Sequence, residues 1–207
     1  ELRGWGQLDV ILFSGDAYVD HPSFGAAVIG RMLEANGYRV AIVPQPDWHG
    51  DYRDFKKLGR PRLFFAVSPG AMDSMVNRYT ANRRMRHDDA YTPDGRHGMR
   101  PDYPSIVYSK ILKQLFPDVP VVLGGIEASL RRLTHYDYWE DRLRPSILLD
   151  APADMIVYGM GERTTVELAR RLDAGEKLAD ITTLPQTAFI TYETPAKGDI
   201  VLASFED

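Results

Sequence analysis

The stretch Val10-Ile11-Leu12-Phe13, followed at once by Ser14-Gly15-Asp16, decides the fold class. Its apolar residues are consecutive rather than alternating, the pattern of a strand covered on both faces. Four more runs of this kind follow: Val40 to Val43, Leu63 to Val67, Val121 to Leu123 and Met155 to Tyr158. Helical stripes lie between them. Val28, Ile29, Met32 and Leu33 form one, stopped by Asn36-Gly37. Met72, Met75, Val76 and Tyr79 form a second, and Val107, Ile111, Leu112 and Leu115 a third. Val166, Ala169 and Leu172 form the last, closed by Gly175. Tyr52 to Leu58 has room for only a short helix. Alternation of strand and helix predicts an α/β fold with a doubly wound, mostly parallel five-stranded sheet.

Composition limits the functions open to such a domain. The apolar fraction of 44% is ordinary for a chain that buries a core. A net charge of −4 favours neither nucleic acid nor an anionic membrane surface as a bulk partner. No apolar run approaches the ~20 residues that span a bilayer. The start, Glu1-Leu2-Arg3-Gly4-Trp5, has no basic or apolar leader region, so the expected compartment is the cytoplasm, with no membrane partner. It also lacks an initiator Met, as expected of a piece of something longer. There is no Cys, which removes disulfides, thiolate metal sites and cysteine nucleophiles from these 207 residues.

In an open parallel sheet, ligands bind beyond the carboxyl ends of the strands. The residues just after the apolar runs are therefore the candidate site. They are Gly15, Asp16, Asp20 and His21 after the first run, then Ser68, Gly70 and Asp73 after the third. Gly124, Gly125 and Glu127 follow the fourth, and Gly159, Gly161 and Glu162 the fifth. Glycines there let a ligand approach the backbone, and the carboxylates and Ser68 can orient it. Ordinary folding duties compete with that role. Ser68-Pro69 suits a helix start, Asp20 or Ser23 suits a cap on the first helix, and glycines at strand ends are plain turn chemistry. No dinucleotide fingerprint or phosphate-binding Walker sequence is present. Asp20-His21 has no second His nearby, so loop ordering is favoured there over a metal site.

Two segments stand apart. Ala81 to Pro104 has no periodicity but carries Arg83, Arg84, Arg86, Arg96, Arg100, His87 and His97 among Asp88, Asp89, Asp94 and Asp102. The interleaved acids favour a solvated loop or an intramolecular lid over an RNA grip. Leu130 to Asp141 is dense in aromatics and charge. It is expected to form a helix capped by Thr134 with Tyr136, Trp139 and Leu143 facing the core, and in part a docking face for another domain. Residues 1–180 are expected to form the domain, and 181–207 an extended exit segment.

Gly15-Asp16-Ala17-Tyr18-Val19-Asp20-His21-Pro22-Ser23-Phe24-Gly25, Gln45-Pro46-Asp47-Trp48 and Asp88-Asp89-Ala90-Tyr91-Thr92-Pro93 are similar to the N-terminal region of YgiQ-type radical SAM proteins. So are Arg100-Pro101-Asp102, the block from Gly124 through Arg132 and on to His135-Tyr136-Asp137-Tyr138-Trp139, and Tyr158-Gly159-Met160-Gly161-Glu162. The resemblance implies a flavodoxin-like domain ahead of a radical SAM barrel in the same chain. There, a Cys-x-x-x-Cys-x-x-Cys motif holds a [4Fe-4S] cluster that binds S-adenosylmethionine and cleaves it to a radical. No residue of these 207 matches that motif. The domain itself resembles the cobalamin-binding domains that precede other radical SAM barrels, which makes cobalamin, held without a protein ligand to the metal, a candidate cofactor. The role so implied is to cover the active site or to present substrate or cofactor, the substrate being unknown. The alternative is a free-standing module for a nucleotide or cobalamin-like ligand, and a third reading is an RNA-modifying enzyme.

Overall fold

The computed structural model describes residues 3–193, 200–203 and 205. In chain order the elements are β1 (Val10–Ser14), α1 (Gly25–Ala35), β2 (Val40–Pro44), α2 (Arg53–Lys56), β3 (Phe64–Ser68), α3 (Ser74–Arg78), α4 (Pro104–Leu115), β4 (Val121–Leu123), α5 (Gly125–Leu130), β5 (His135–Asp137), β6 (Arg142–Arg144), β7 (Met155–Val157), α6 (Glu162–Asp173) and β8 (Thr187–Ala188). The main sheet has the order β2-β1-β3-β4-β7-β8. All its pairings are parallel except the last, where Val157 faces Thr187 and Ile156 faces Ala188 in antiparallel register. The mostly parallel α/β sheet expected from the apolar runs is present, with six strands rather than five.

Side-chain alternation along the central strands explains the two covered faces. Ile11, Phe13, Phe65, Val67, Val121 and Leu123 point to one face, where Phe55 of α2, Tyr108, Ile111 and Leu112 of α4 and Ala128 of α5 complete the core. Phe13 stacks on Phe55 at 5.0 Å and meets Phe65 edge-on at 5.9 Å. Val10, Leu12, Phe64, Ala66, Val122 and Met155 point to the other face, covered by Leu33 of α1 and Leu168 and Ala169 of α6. Each large buried side chain contributes about 2–3 kcal/mol of transfer free energy.

The amino ends of β1, β2 and β3 are tied to one carboxylate. Asp9 accepts hydrogen bonds from the Arg39 backbone N–H at 2.7 Å, the Arg39 side chain at 2.7 and 3.0 Å, and Arg62 Nε at 2.6 Å. The Arg39 hydrogen bonds hold the Asp9 carboxyl well below the usual carboxylate range, against the opposing effect of burial.

Several local expectations need correction. The 130–141 segment is not a helix capped by Thr134. It carries the antiparallel β5–β6 hairpin, in which Tyr136 and Leu143 are exposed. The cause is Asp137: its Oδ1 accepts from the backbone N–H of Trp139 at 2.8 Å and Glu140 at 2.9 Å, a local turn that competes with helix. Ser68-Pro69 does not start a helix. Asp73 does, accepting from Met75 and Val76 N–H, and α3 then spans only five residues. Neither Asp20 nor Ser23 caps α1, whose N-cap position is Phe24 with no side-chain cap bond. After residue 180, Ile181 and Leu184 are buried in the α1–α6 side of the core and β8 joins the sheet.

Two tests follow from these contacts. Ile181→Ala is expected to lower the unfolding free energy by about 2–5 kcal/mol in denaturant titration, the range for a fully buried large-to-small change. An effect below a few tenths would detach this segment from the core. Because the folded Asp9 carboxyl is depressed, its stabilisation is present above the unfolded carboxylate pKa of about 4 and is lost as pH falls below it. Asp9→Asn should therefore cost about 2 kcal/mol at neutral pH and flatten the acid limb of the stability profile.

Candidate functional site

At the carboxyl edge of the sheet the chain reverses its winding between β1 and β3, the point where such folds open a crevice. Here the crevice is filled by the chain itself. Arg100 is 4% exposed and donates to Asp16 Oδ1 at 2.7 Å, to the Pro69 carbonyl at 3.0 Å and to both oxygens of Asp89 at 2.9 and 3.1 Å. Asp16 Oδ2 also accepts from the Ala71 N–H at 2.5 Å, and Asp89 from the Tyr91 N–H at 2.9 Å. Burial raises the Asp16 carboxyl above its ordinary value, with the Ala71 N–H and Arg100 opposing. At Asp89 the Tyr91 N–H and Arg100 outweigh burial and keep it low.

Gly15 and Gly70 serve this close approach. A Cβ on Gly15 would stand 2.1 Å from the Pro69 carbonyl oxygen, and one on Gly70, at φ +117, would stand 2.1 Å from Asp16 Oδ1. The 81–104 segment is thus pinned to the sheet rather than solvated as a whole.

Asp73 and Glu127 also face inward. Glu127 is fully buried and accepts from Ser74 Oγ at 2.6 Å, Ser74 N–H at 3.4 Å and Ser105 N–H at 3.1 Å, joining α3, α4 and α5. Burial raises its carboxyl, against the Ser74 bond. Asp73, besides capping α3, takes the Arg131 guanidinium. Asp20 and His21 lie on the exposed loop before α1: Asp20 pairs with Arg31 at 2.6 Å, and His21 Nδ1 accepts from the Ser23 N–H at 3.1 Å.

The other six candidates come together. Ser68, Gly124, Gly125, Gly159, Gly161 and Glu162 line a cleft of about 320 Å³ on the α1–α6 side of the carboxyl edge. Its floor is Leu12, Phe64, Ala66, Val122 and Val157, and Gly25, Ala26, Ile29 and Thr165 complete the walls. The volume is at the lower end of ligand pockets, about 300–1,000 Å³. The N-termini of α1 and α6 both border it, and neither has a side-chain cap bond. Their free N–H groups favour an anionic group at the mouth. The glycines differ in kind. A Cβ on Gly125 would meet Pro69 and Ser68 at 2.9 and 3.0 Å, and one on Gly161 would meet Val157 at 2.7 Å. A Cβ on Gly124 would meet only the Val157 carbonyl at 3.8 Å, and one on Gly25 nothing within 4 Å. Packing explains the first two as glycine and leaves the other two unexplained.

Sequence reasoning named Arg100 only among the arginines of its loop and within the family string Arg100-Pro101-Asp102, and missed its role as the buried clamp. It also missed Gly25 and Thr165, although Gly25 stands at the end of the first strand-end loop. A wider surface trough of about 1000 Å³ runs along β2 and includes none of the expected residues.

The arrangement is that of a doubly wound, mostly parallel α/β domain. A solved radical S-adenosylmethionine methyltransferase, TsrM from Kitasatospora setae, with tryptophan and a SAM analogue bound, shares the fold at a TM-score of 0.55 and 18% identity, covering 89% of this chain and 29% of that one. The model of the Radical SAM N-terminal family matches residues 1–207, and the chain belongs to that family. Curated relatives include UPF0313 proteins of Bacteroides thetaiotaomicron, 65% identical over 100% of this chain and 36% of theirs, and Porphyromonas gingivalis, 64% identical over 100% and 33%. The UPF0313 protein YgiQ of Escherichia coli is 58% identical over 92% of this chain and 26% of its own length. The chain thus spans about a third or less of these relatives. The family implies a [4Fe-4S] cluster and S-adenosylmethionine for the full-length protein. These residues do not fit a cluster site: there is no Cys, and among the described residues no group of three or more His, Asp or Glu side chains is placed to hold a metal. Among the described residues no helix is long and apolar enough to cross a membrane.

Arg100→Met leaves two buried carboxylates uncompensated and should lower the unfolding free energy by about 3–5 kcal/mol. The exposed Arg96→Met should change it by less than about 0.5 kcal/mol in the same denaturant titration.

Proposed function

We propose that this domain covers one side of the radical SAM active site in its own chain and holds a nucleotide-bearing ligand in the cleft between α1 and α6. The observation that carries this reading is the pair Gly25 and Gly124, glycines that line the cleft where packing would admit a side chain. The apolar floor suits a flat base, and the two uncapped helix ends suit a phosphate. A free nucleotide and the nucleotide arm of a cobalamin share that chemistry. His21 is outside the cleft lining, in keeping with a cobalamin held without a protein ligand to its metal.

Burial of this edge by the rest of the protein is supported by the exposed apolar side chains of Met160, which lines the cleft, and of α5, whose first residue Gly125 also lines it. Met160 is 76% exposed on the β7–α6 turn, and Ile126 and Leu130 are exposed on α5. Apolar side chains gathered at a ligand-binding edge mark an interface. The threefold greater length of the relatives favours this role over a free-standing module.

Binding of hydroxocobalamin and of adenine nucleotides to the full-length protein, read by absorbance and calorimetry, tests the ligand. One of the two should bind, and a Gly25→Leu/Gly124→Ala double variant should lose at least about tenfold in affinity, roughly 1.4 kcal/mol, with its melting midpoint unchanged. Equal binding by the double variant, or no binding of either ligand, would overturn the assignment.

A further inference from the structure

A further cavity, of about 370 Å³, opens between α3 and the β5–β6 hairpin and shares no lining residue with the α1–α6 cleft. Met75 and Val76 form its apolar base, and Tyr79, Tyr103, Tyr138 and Trp139 its aromatic walls. Trp139 packs on Tyr79 with ring centres 4.2 Å apart. Tyr136 and Tyr138 are 56% and 55% exposed, so two phenol rings are open to a partner.

The charges around this groove are uneven in a way that the total of the chain conceals. Its carboxylates are already engaged. Asp73 takes Arg131, Asp102 takes Arg78 at 3.0 Å and Tyr79 OH at 2.8 Å, and Asp137 takes Tyr103 OH at 2.9 Å plus two backbone N–H groups. Glu140 takes Arg142 and Arg144, and Asp141 takes Tyr136 OH. The exposed arginines are not matched in return. Arg83 donates to the Tyr138 carbonyl at 2.6 Å, and Arg86 Nε to the Tyr79 carbonyl at 3.2 Å. The Arg84 guanidinium has no bond or ion pair among the described residues. Arg83 also lies over the rings of Tyr138 at 5.1 Å and Trp139 at 5.8 Å. Arg86 thus lines the groove, Arg83 lies over its Tyr138 and Trp139 walls, and Arg84 stands between them in the chain beside Thr80 of the lining, all three without a carboxylate partner among the described residues, within a protein of net charge −4.

We propose that this groove binds single-stranded nucleic acid, with bases stacked on Tyr136 and Tyr138 and phosphates on Arg83, Arg84 and Arg86. Every base has a π face, so stacking platforms beside a basic track take a single strand with little regard to sequence. A duplex has its bases already stacked and gives those rings nothing to hold. A purely protein partner would have no use for three unneutralised arginines beside internally satisfied acids, which is why charge decides between the two.

The test is fluorescence anisotropy of the full-length protein with a short labelled single-stranded RNA and with its duplex, across a salt series. The wild type should bind the single strand more tightly than the duplex, with affinity falling as salt rises. An Arg83→Gln/Arg84→Gln/Arg86→Gln variant should reduce the slope of log affinity against log salt by about 2, since each phosphate contact on a single strand contributes about 0.7. Arg84→Gln alone, which breaks no contact of the fold, should reduce it by about 0.7. Tyr138→Leu should weaken binding by about tenfold with the slope unchanged. Absence of RNA binding by the wild type, duplex preference, or a slope unaltered in the Arg84→Gln variant overturns the proposal. So does a triple variant whose only defect is a lowered melting point, which would make the groove a packing surface between parts of the protein. None of these outcomes bears on ligand binding in the α1–α6 cleft.

Discussion

The buried guanidinium of Arg100 is the contact on which the carboxyl edge depends. It joins three segments distant in sequence: the loop after β1 through Asp16, the loop after β3 through the Pro69 carbonyl, and the 81–104 excursion through Asp89. Two carboxylates and one cation taken out of water are stable only when fully hydrogen-bonded, and the Ala71 and Tyr91 N–H groups complete that set. Once it forms, the place where a doubly wound sheet ordinarily receives a ligand is occupied by protein. The open space moves along the same edge to the cleft between α1 and α6.

This displacement explains the mixed fate of the residues that stand at the strand ends. The rule that ligands gather there identifies an edge, and an edge of five parallel strands is wide enough to serve several purposes. Gly15, Asp16 and Gly70 build the clamp, Asp73 and Glu127 bind α3, α4 and α5 to one another, and the group around Ser68, Gly124 and Gly161 lines the open cleft. Glycine is informative in this setting only when paired with what a Cβ would meet. Gly161 is glycine because of Val157, whereas Gly25 has no such neighbour.

The central sheet was legible because continuous apolar runs leave a strand no polar face to turn to water; the helices over 25–35 and 162–173 show plain periodicity with Asn36-Gly37 and Gly175 as stops, and that over 104–115 shows periodicity ended before Pro117. What escaped sequence reasoning depends on contacts far apart in the chain. Thr187–Ala188 is too short to have a pattern of its own and is a strand only because Val157 offers an unpaired edge. The 135–144 hairpin follows from one Asp side chain turning back on its own backbone, which composition does not distinguish from a helix start. Arg100 stands in a family-like string, but nothing local shows that it is buried, since its partner Asp16 is 84 residues away.

The structure of this domain within a full-length member of the family tests the central claim most directly. Expected there are Met160 at the α1–α6 cleft and Ile126 and Leu130 on α5 all buried against the rest of the chain, with Arg100 still bonded to Asp16 and Asp89. The same three side chains in open solvent, or Arg100 withdrawn and a ligand seated between β1 and β3, would contradict it.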